Sequence, residues 1–353
     1  MQKVPQQFRA AQFTQRGGEL EIKETKLSQL HSDELVIKVQ ACCLGSTDEL
    51  LKFDLLPDLQ YPLIPGAAVV GVVAQTAQKG QQQFKEGDRV AAITGCGGLA
   101  EFCRANEAMC VKLPQQFHEG ERLVQAPTMT WDAGRVWTAA HHRCTEAEKR
   151  MDKHEREMVR EINERMGFKG EGVVVVYGEG GFARLALDTL KKVKTSRKLI
   201  LVATSDKWKA NDYGLKDDEV LCINQHDVRN ELKKRGGAHG IVCCDMPREG
   251  LEALLDGCRY HSTIVMMSPR RDEGMEVPIA NILAKSMTLH GSPVMTHSDL
   301  RDVLSFAEQH RLEAPTRAFR FDENEVREAW QAVESRDEWK CSVVCFEQQQ
   351  GMR

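Results

Sequence analysis

The apolar positions of this chain fall into two patterns. Up to about residue 125 the runs are short. Residues 34–42 (Glu-Leu-Val-Ile-Lys-Val-Gln-Ala-Cys) alternate apolar and polar, the period of a half-buried strand. Residues 67–74 form a continuous apolar strand after Pro62, Pro65 and Gly66, and residues 84–91 read as a turn feeding another strand. Gly and Pro punctuate these runs at short intervals, which predicts a small β-barrel. From Gly172 the pattern changes. A buried-strand run at 173–177 leads into a glycine turn and a helical stretch at 183–194, followed by a strand at 198–203. Further strands are predicted at 220–223, 240–245 and 262–268. Apolar strands alternating with helices predict a parallel sheet covered on both faces, so the fold class is α/β.

Between the two patterns lies a heavily charged stretch, 145–167, in which Met151, Met158, Ile162 and Met166 recur at helical spacing. It predicts a long connecting helix, mostly solvated, with a thin packing stripe; a partner or oligomer helix is the alternative. At 353 residues the chain is long enough for two domains. The net charge of -4, with no dense basic block, argues against a nucleic-acid surface. No apolar run reaches the roughly 18 residues of a membrane span. The polar, Gln-rich residues 1–15 lack the apolar core of a signal peptide, so a cytoplasmic protein is expected. The 12 cysteines contain no CxxC pair, and Cys42-Cys43 and Cys243-Cys244 sit inside β-like runs. Reduced thiols that pack as small hydrophobes are therefore expected, without a metal.

The candidate chemistry centres on the turn Tyr177-Gly178-Glu179-Gly180-Gly181-Phe182-Ala183. It matches the dinucleotide fingerprint at Gly178, Gly180 and Ala183, leaves an apolar strand and opens a helix. Glycine permits the tight turn and lets a pyrophosphate approach the helix N-terminus. Glu179 is discordant, because a carboxylate near phosphate costs energy unless it points away. The second strand ends Val202-Ala203-Thr204-Ser205-Asp206-Lys207. Hydroxyls at Thr204 and Ser205, with Lys207 to neutralise a 2′-phosphate, favour NADP (NADPH) over NAD. Asp206 lies one residue from the place of a ribose-binding acid and keeps NAD open.

Other segments join this turn in a family resemblance. They are residues 39–48 (Val-Gln-Ala-Cys-Cys-Leu-Gly-Ser-Thr-Asp), 61–66 (Tyr-Pro-Leu-Ile-Pro-Gly), 70–73, 84–90 and 97–102. Residues 289–292, Asp299, Leu300 and 321–333 add to them. In this order and spacing the chain resembles the medium-chain dehydrogenase/reductase superfamily, the zinc alcohol dehydrogenase-like fold, over nearly its whole length. The resemblance implies a GroES-like catalytic domain at 1–125 and 312–353. It implies a Rossmann cofactor-binding domain at 126–311, carrying the charged insertion, and an active site in the cleft between the two.

The departures concern zinc. Where family zinc enzymes place ligands this chain has Gly45 and the pair Ala67-Ala68, and no cysteine stands in 127–134. The structural-zinc lobe is missing as well. Glycine and alanine cannot ligate, so zinc-independent chemistry is expected. The resemblance puts Ser46, Thr47 and Asp48 in the cleft-lining loop, with Thr47 at the place of a proton-relay hydroxyl. Asp48 reads first as a residue that fixes the loop or caps a helix, second as a catalytic group. His141 and His142 are candidate proton donors or surface histidines, and Ser268 is expected beside the nicotinamide.

These readings point to an NADPH-dependent reductase of an activated C=C, quinone or carbonyl. Its substrate is a small molecule or is carrier-bound, since fungal trans-acting enoyl reductases look similar at the Ala203-Thr204-Ser205 strand end. A homodimer is a possible assembly. The alternative is a catalytically degenerate binding or scaffold protein, to which the missing ligands, Glu179 and the charged insertion would also conform.

Overall fold

The computed structural model describes residues 4–53, 59–76, 83–140, 151–193, 197–207, 209–245, 251–267, 277–291, 295–335 and 340–346. The chain divides into two units, Met1–Gly134 with Met295–Arg353, and Arg135–Val294.

The first unit opens with β1 (Phe8–Phe13) and β2 (Leu20–Thr25), an antiparallel pair. Next come β3 (Glu34–Leu44), β4 (Ala68–Thr76), β5 (Arg89–Ile93), β6 (Phe102–Asn106) and β7 (Cys110–Lys112). β3 pairs antiparallel with both β4 and β6, and β5 joins β4 to β7. Alternation along β3 sends Ile37 and Val39 into one core and Val36 into another with Phe8 and Phe102. That is why its half-alternating sequence is legible as a strand.

The second unit is a parallel sheet. Its strands are β8 (Val173–Tyr177), β9 (Lys198–Ala203), β10 (Val220–Cys222), β11 (Ala238–Cys243), β12 (Cys258–Met266) and β13 (Thr288–Gly291). Their order is β10-β9-β8-β11-β12-β13. Every residue of β8 is buried, as an apolar run at the centre of a doubly covered sheet requires. From β8 the chain winds outward through β9 and β10, then returns to β11 on the other side of β8. The carboxyl end of β8 is therefore a topological switch point. The chain closes with β14 (Thr316–Arg320) and β15 (Cys341–Cys345), which completes the first unit's seven-stranded sheet by pairing β15 with β3.

Two details depart from the sequence reading. Residues 126–134 and 295–311, assigned there to the cofactor domain, fall within the first unit. The helix Gly120–Thr128 runs straight on into the π-helical turn Met129–Ala133. The segment that opens the helix His297–Gln309 closes on this turn so tightly that a Cβ on Gly134 would collide with the Met295 sulfur.

The charged stretch does form a helix, Lys153–Arg165, closed at its N-terminus by a reciprocal Asp152–Glu155 capping box. Of the predicted stripe Met151 and Ile162 are half-buried, but the other two positions are not. Met158 is 47% and Met166 38% exposed, whereas Asn163 is buried. The Asn163 side chain accepts from the Tyr260 N–H at 2.8 Å and donates to the Tyr260 carbonyl at 3.3 Å. Tyr260 lies where β12 slips register between Cys258 and Thr263. A side-chain amide thus supplies the hydrogen bonds that the ladder lacks there. Residues 145–150 of the predicted insertion lie outside the described residues.

Candidate functional site

The glycine turn sits at the switch point. Gly178 continues from β8, with its N–H on the Val202 carbonyl of β9 at 3.1 Å. Its φ of +129° and the +72° of Gly180 are values that side chains resist. A Cβ on Gly178 would come within 3.1 Å of the Asp245 nitrogen. The helix Gly180–Val193 begins at once, so the N–H groups of Gly181, Phe182 and Ala183 belong to a first turn that lacks intrahelical acceptors. The Gly180 N–H donates to the Tyr213 hydroxyl at 3.2 Å. Tyr213 is fully buried, and burial above all pushes its phenol up, assisted by the Glu179 charge and opposed by the Gly180 N–H. It remains a neutral hydroxyl at physiological pH. Phe182 is half-buried, and the buried guanidinium of Arg135 lies 5.8 Å over its ring. Neither Tyr213 nor Arg135 carries a motif in the sequence, and both were missed there.

Glu179 does not point at the helix N-terminus. Its carboxylate turns to the end of β9, where Oε1 accepts from the Thr204 hydroxyl at 2.6 Å and also from the Ser205 N–H. Oε2 accepts from the Ser205 hydroxyl at 2.9 Å. The two hydroxyls expected to bind a cofactor phosphate are thus engaged by a carboxylate from the glycine turn. Lys207 is exposed beyond them, its N–H on the Ser205 hydroxyl at 3.2 Å. Asp206 is also exposed and accepts from the Gln225 side chain at 3.1 Å.

In the first unit, Ser46, Thr47 and Asp48 form the first turn of the helix Ser46–Lys52, which directly follows β3. Ser46 and Thr47 are half-buried and Asp48 is buried. The Asp48 carboxylate accepts from the Gly45 N–H at 3.0 Å and the Gly66 N–H at 2.7 Å. It closes the helix start and ties it to the Pro65-Gly66 loop, which is the loop-fixing role. Gly66 tolerates no Cβ there, since one would stand 2.6 Å from the Cys42 sulfur. Burial pushes the Asp48 carboxyl up to about 6 against the pull of its two N–H donors, with Asp132 and Glu49 adding to the rise. Gly45 caps the helix, and Ala67 and Ala68 are buried at the start of β4, so these three positions offer no side-chain donor. The described residues contain no cluster of three potential metal ligands. Their eleven cysteines are free thiols, with Cys243 and Cys244 buried at the end of β11. His141, His142 and Ser268 lie outside the described residues. No described helix is long and apolar enough to cross a membrane.

This arrangement has known counterparts. The alcohol dehydrogenase GroES-like domain family matches residues 31–115. An alcohol dehydrogenase of Geobacillus stearothermophilus is 25% identical over 349 residues, 88% of this chain and 91% of its own. The chain belongs to the medium-chain dehydrogenase/reductase superfamily. Among its other members, a chloroplast envelope quinone oxidoreductase homolog of Arabidopsis thaliana is 35% identical over 121 residues, 32% of this chain and 36% of that one. An alcohol dehydrogenase from E. coli CFT073, crystallised with NADH, shares the fold with a TM-score of 0.72 at 16% identity, over 97% of this chain and all of the other. The superfamily's GroES-like part corresponds to the β3–β7 region, and its Rossmann part to the parallel sheet.

Proposed function

We propose that this chain is a zinc-independent oxidoreductase that binds a nicotinamide dinucleotide at the glycine turn and reduces an activated C=C, quinone or carbonyl, small or carrier-bound. The observation that carries the reading is the turn itself, two left-handed glycines at the switch point of a parallel sheet followed by open first-turn amides. These residues fit a dinucleotide. The amides of Gly181 and Phe182 suit a pyrophosphate, and the Arg135 charge beside Phe182 adds to the pull. When bound, the dinucleotide supplies the hydride. The chain's share is binding, orientation and hydrogen-bond donation, for which Thr47 and Ser46 are the proposed hydroxyls and Asp48 the loop anchor. The alcohol dehydrogenase and quinone oxidoreductase relatives support hydride chemistry in general. Glycine and alanine at 45, 67 and 68 support catalysis without zinc. Lys207 would favour NADPH, but a 2′-phosphate at Thr204 and Ser205 would have to displace Glu179.

The test is an assay of reduced-dinucleotide oxidation against quinones, enones and aldehydes, with elemental analysis of the same preparation. The expected result is turnover that survives strong chelators, with far less than one zinc per chain. Stoichiometric zinc and chelator-sensitive turnover would overturn the zinc-free assignment. A second reading, a silent binding or scaffold protein, draws on the internal pairing of the turn's own groups, Gly180 with Tyr213 and Glu179 with Thr204 and Ser205. A chain that binds neither NADH nor NADPH would favour it.

A further inference from the structure

In parallel-sheet nucleotide folds, the acid that reads the adenosine ribose ordinarily stands at the end of the second strand. Here that strand, β9, ends in Ala203, Thr204 and Ser205, none of them acidic. Asp206, the next residue, is exposed and held by Gln225. A carboxylate nevertheless stands at the strand end, supplied from the end of the neighbouring strand β8 by Glu179, between the first two glycines of the turn. Three donors fix it: the Thr204 hydroxyl, the Ser205 N–H and the Ser205 hydroxyl.

We infer that Glu179 is the ribose-reading acid of this protein and sets its cofactor preference toward NADH against NADPH. The inference rests on the proposed dinucleotide binding at the turn and concerns which dinucleotide that site takes. A carboxylate offers about four acceptor sites, and three are used by the protein, so one remains for a ribose hydroxyl. A 2′-phosphate in the same place meets two penalties. It faces a like charge, and the donors it would need are already spent on Glu179. The hydroxyl-rich strand end therefore has the opposite meaning from the one its sequence suggests: Thr204 and Ser205 hold an acid in place of receiving a phosphate. Removal of the acid frees two hydroxyls and one N–H beside Lys207, a donor set suited to a phosphate.

The experiment is equilibrium binding of NADH and NADPH, followed by their fluorescence, to the parent, Glu179→Ala and Glu179→Gln. Glutamine keeps the volume and removes the charge, and thermal melts establish that each variant is folded. The parent should bind NADH more tightly by about tenfold or more. Glu179→Ala should reverse the order, with NADPH gaining about tenfold or more and NADH weakening, and Glu179→Gln should fall between. A parent that prefers NADPH, or a NADH-to-NADPH ratio unmoved in both variants, would overturn the inference and leave dinucleotide binding standing. If no protein of the three binds either dinucleotide, the proposed function fails and the inference with it. Binding that appears only in the variants would make Glu179 a plug of the site, which also overturns its role as reader.

Discussion

Asp48 is a buried carboxyl that accepts from the backbone N–H groups of Gly45 and Gly66. Its two N–H donors lower the proton affinity, but burial wins and holds the carboxyl at about 6. Because this value is raised above that of the unfolded chain, the linked stability is fully present below about pH 4 and is lost as the pH rises through about 6. Its size is about 3 kcal/mol. Asp48→Asn removes the titration while keeping one acceptor. Denaturant unfolding of the parent should show stability falling across that window, and the variant should lack that component. Equal slopes in the two proteins would mean that Asp48 titrates normally in the fold. For Asp48 the sequence offered loop fixing or helix capping before catalysis, and Asp48 stands three residues after Gly45, the residue that caps the helix. The direction of Glu179 was not legible in the sequence. A side chain between two glycines can point toward the phosphates or toward β9, and only the placement of Thr204 and Ser205 decides.

At the scale of elements, the strands that were readable are those whose pattern is set by burial alone. β8 is apolar throughout because both of its faces are covered, and β3 alternates only over residues 37–40, since elsewhere its two sides pack into different cores. The charged helix Lys153–Arg165 was readable as a helix, but its contact face was not. Hydrophobic spacing chose Met158 and Met166 along with the half-buried Met151 and Ile162, whereas the sheet offered an irregular strand whose backbone an asparagine satisfies better than a thioether. Asn163→Ala should therefore leave the Tyr260 N–H and carbonyl without these partners, at a local cost of about 1–3 kcal/mol. Amide hydrogen exchange should quicken along residues 153–165 and at Tyr260, with β8 and β11 unchanged. Unaltered exchange in that helix would show that Val159 and Ile162 hold it without the asparagine.

For the whole molecule, the change from barrel-like to βα pattern near Gly172 and the ordered family segments made both folds legible. The unit boundary was less so. The helix Gly120–Thr128 and the turn after it form one continuous rod, and sequence does not reveal which neighbour such a rod packs on. The proposed function depends on a dinucleotide at the glycine turn. Gly180 has a φ of +72° at the start of its helix, beside the place proposed for the pyrophosphate. A side chain there intrudes on the ligand while β8 and the rest of the helix keep their packing. The measurement is a NADH binding isotherm for the parent, Gly180→Ala and Gly180→Val, with circular dichroism on each. Saturable binding by the parent, weakened in the alanine variant and abolished in a folded valine variant, is the predicted result. Undiminished binding by folded Gly180→Val would place the dinucleotide elsewhere and contradict the account.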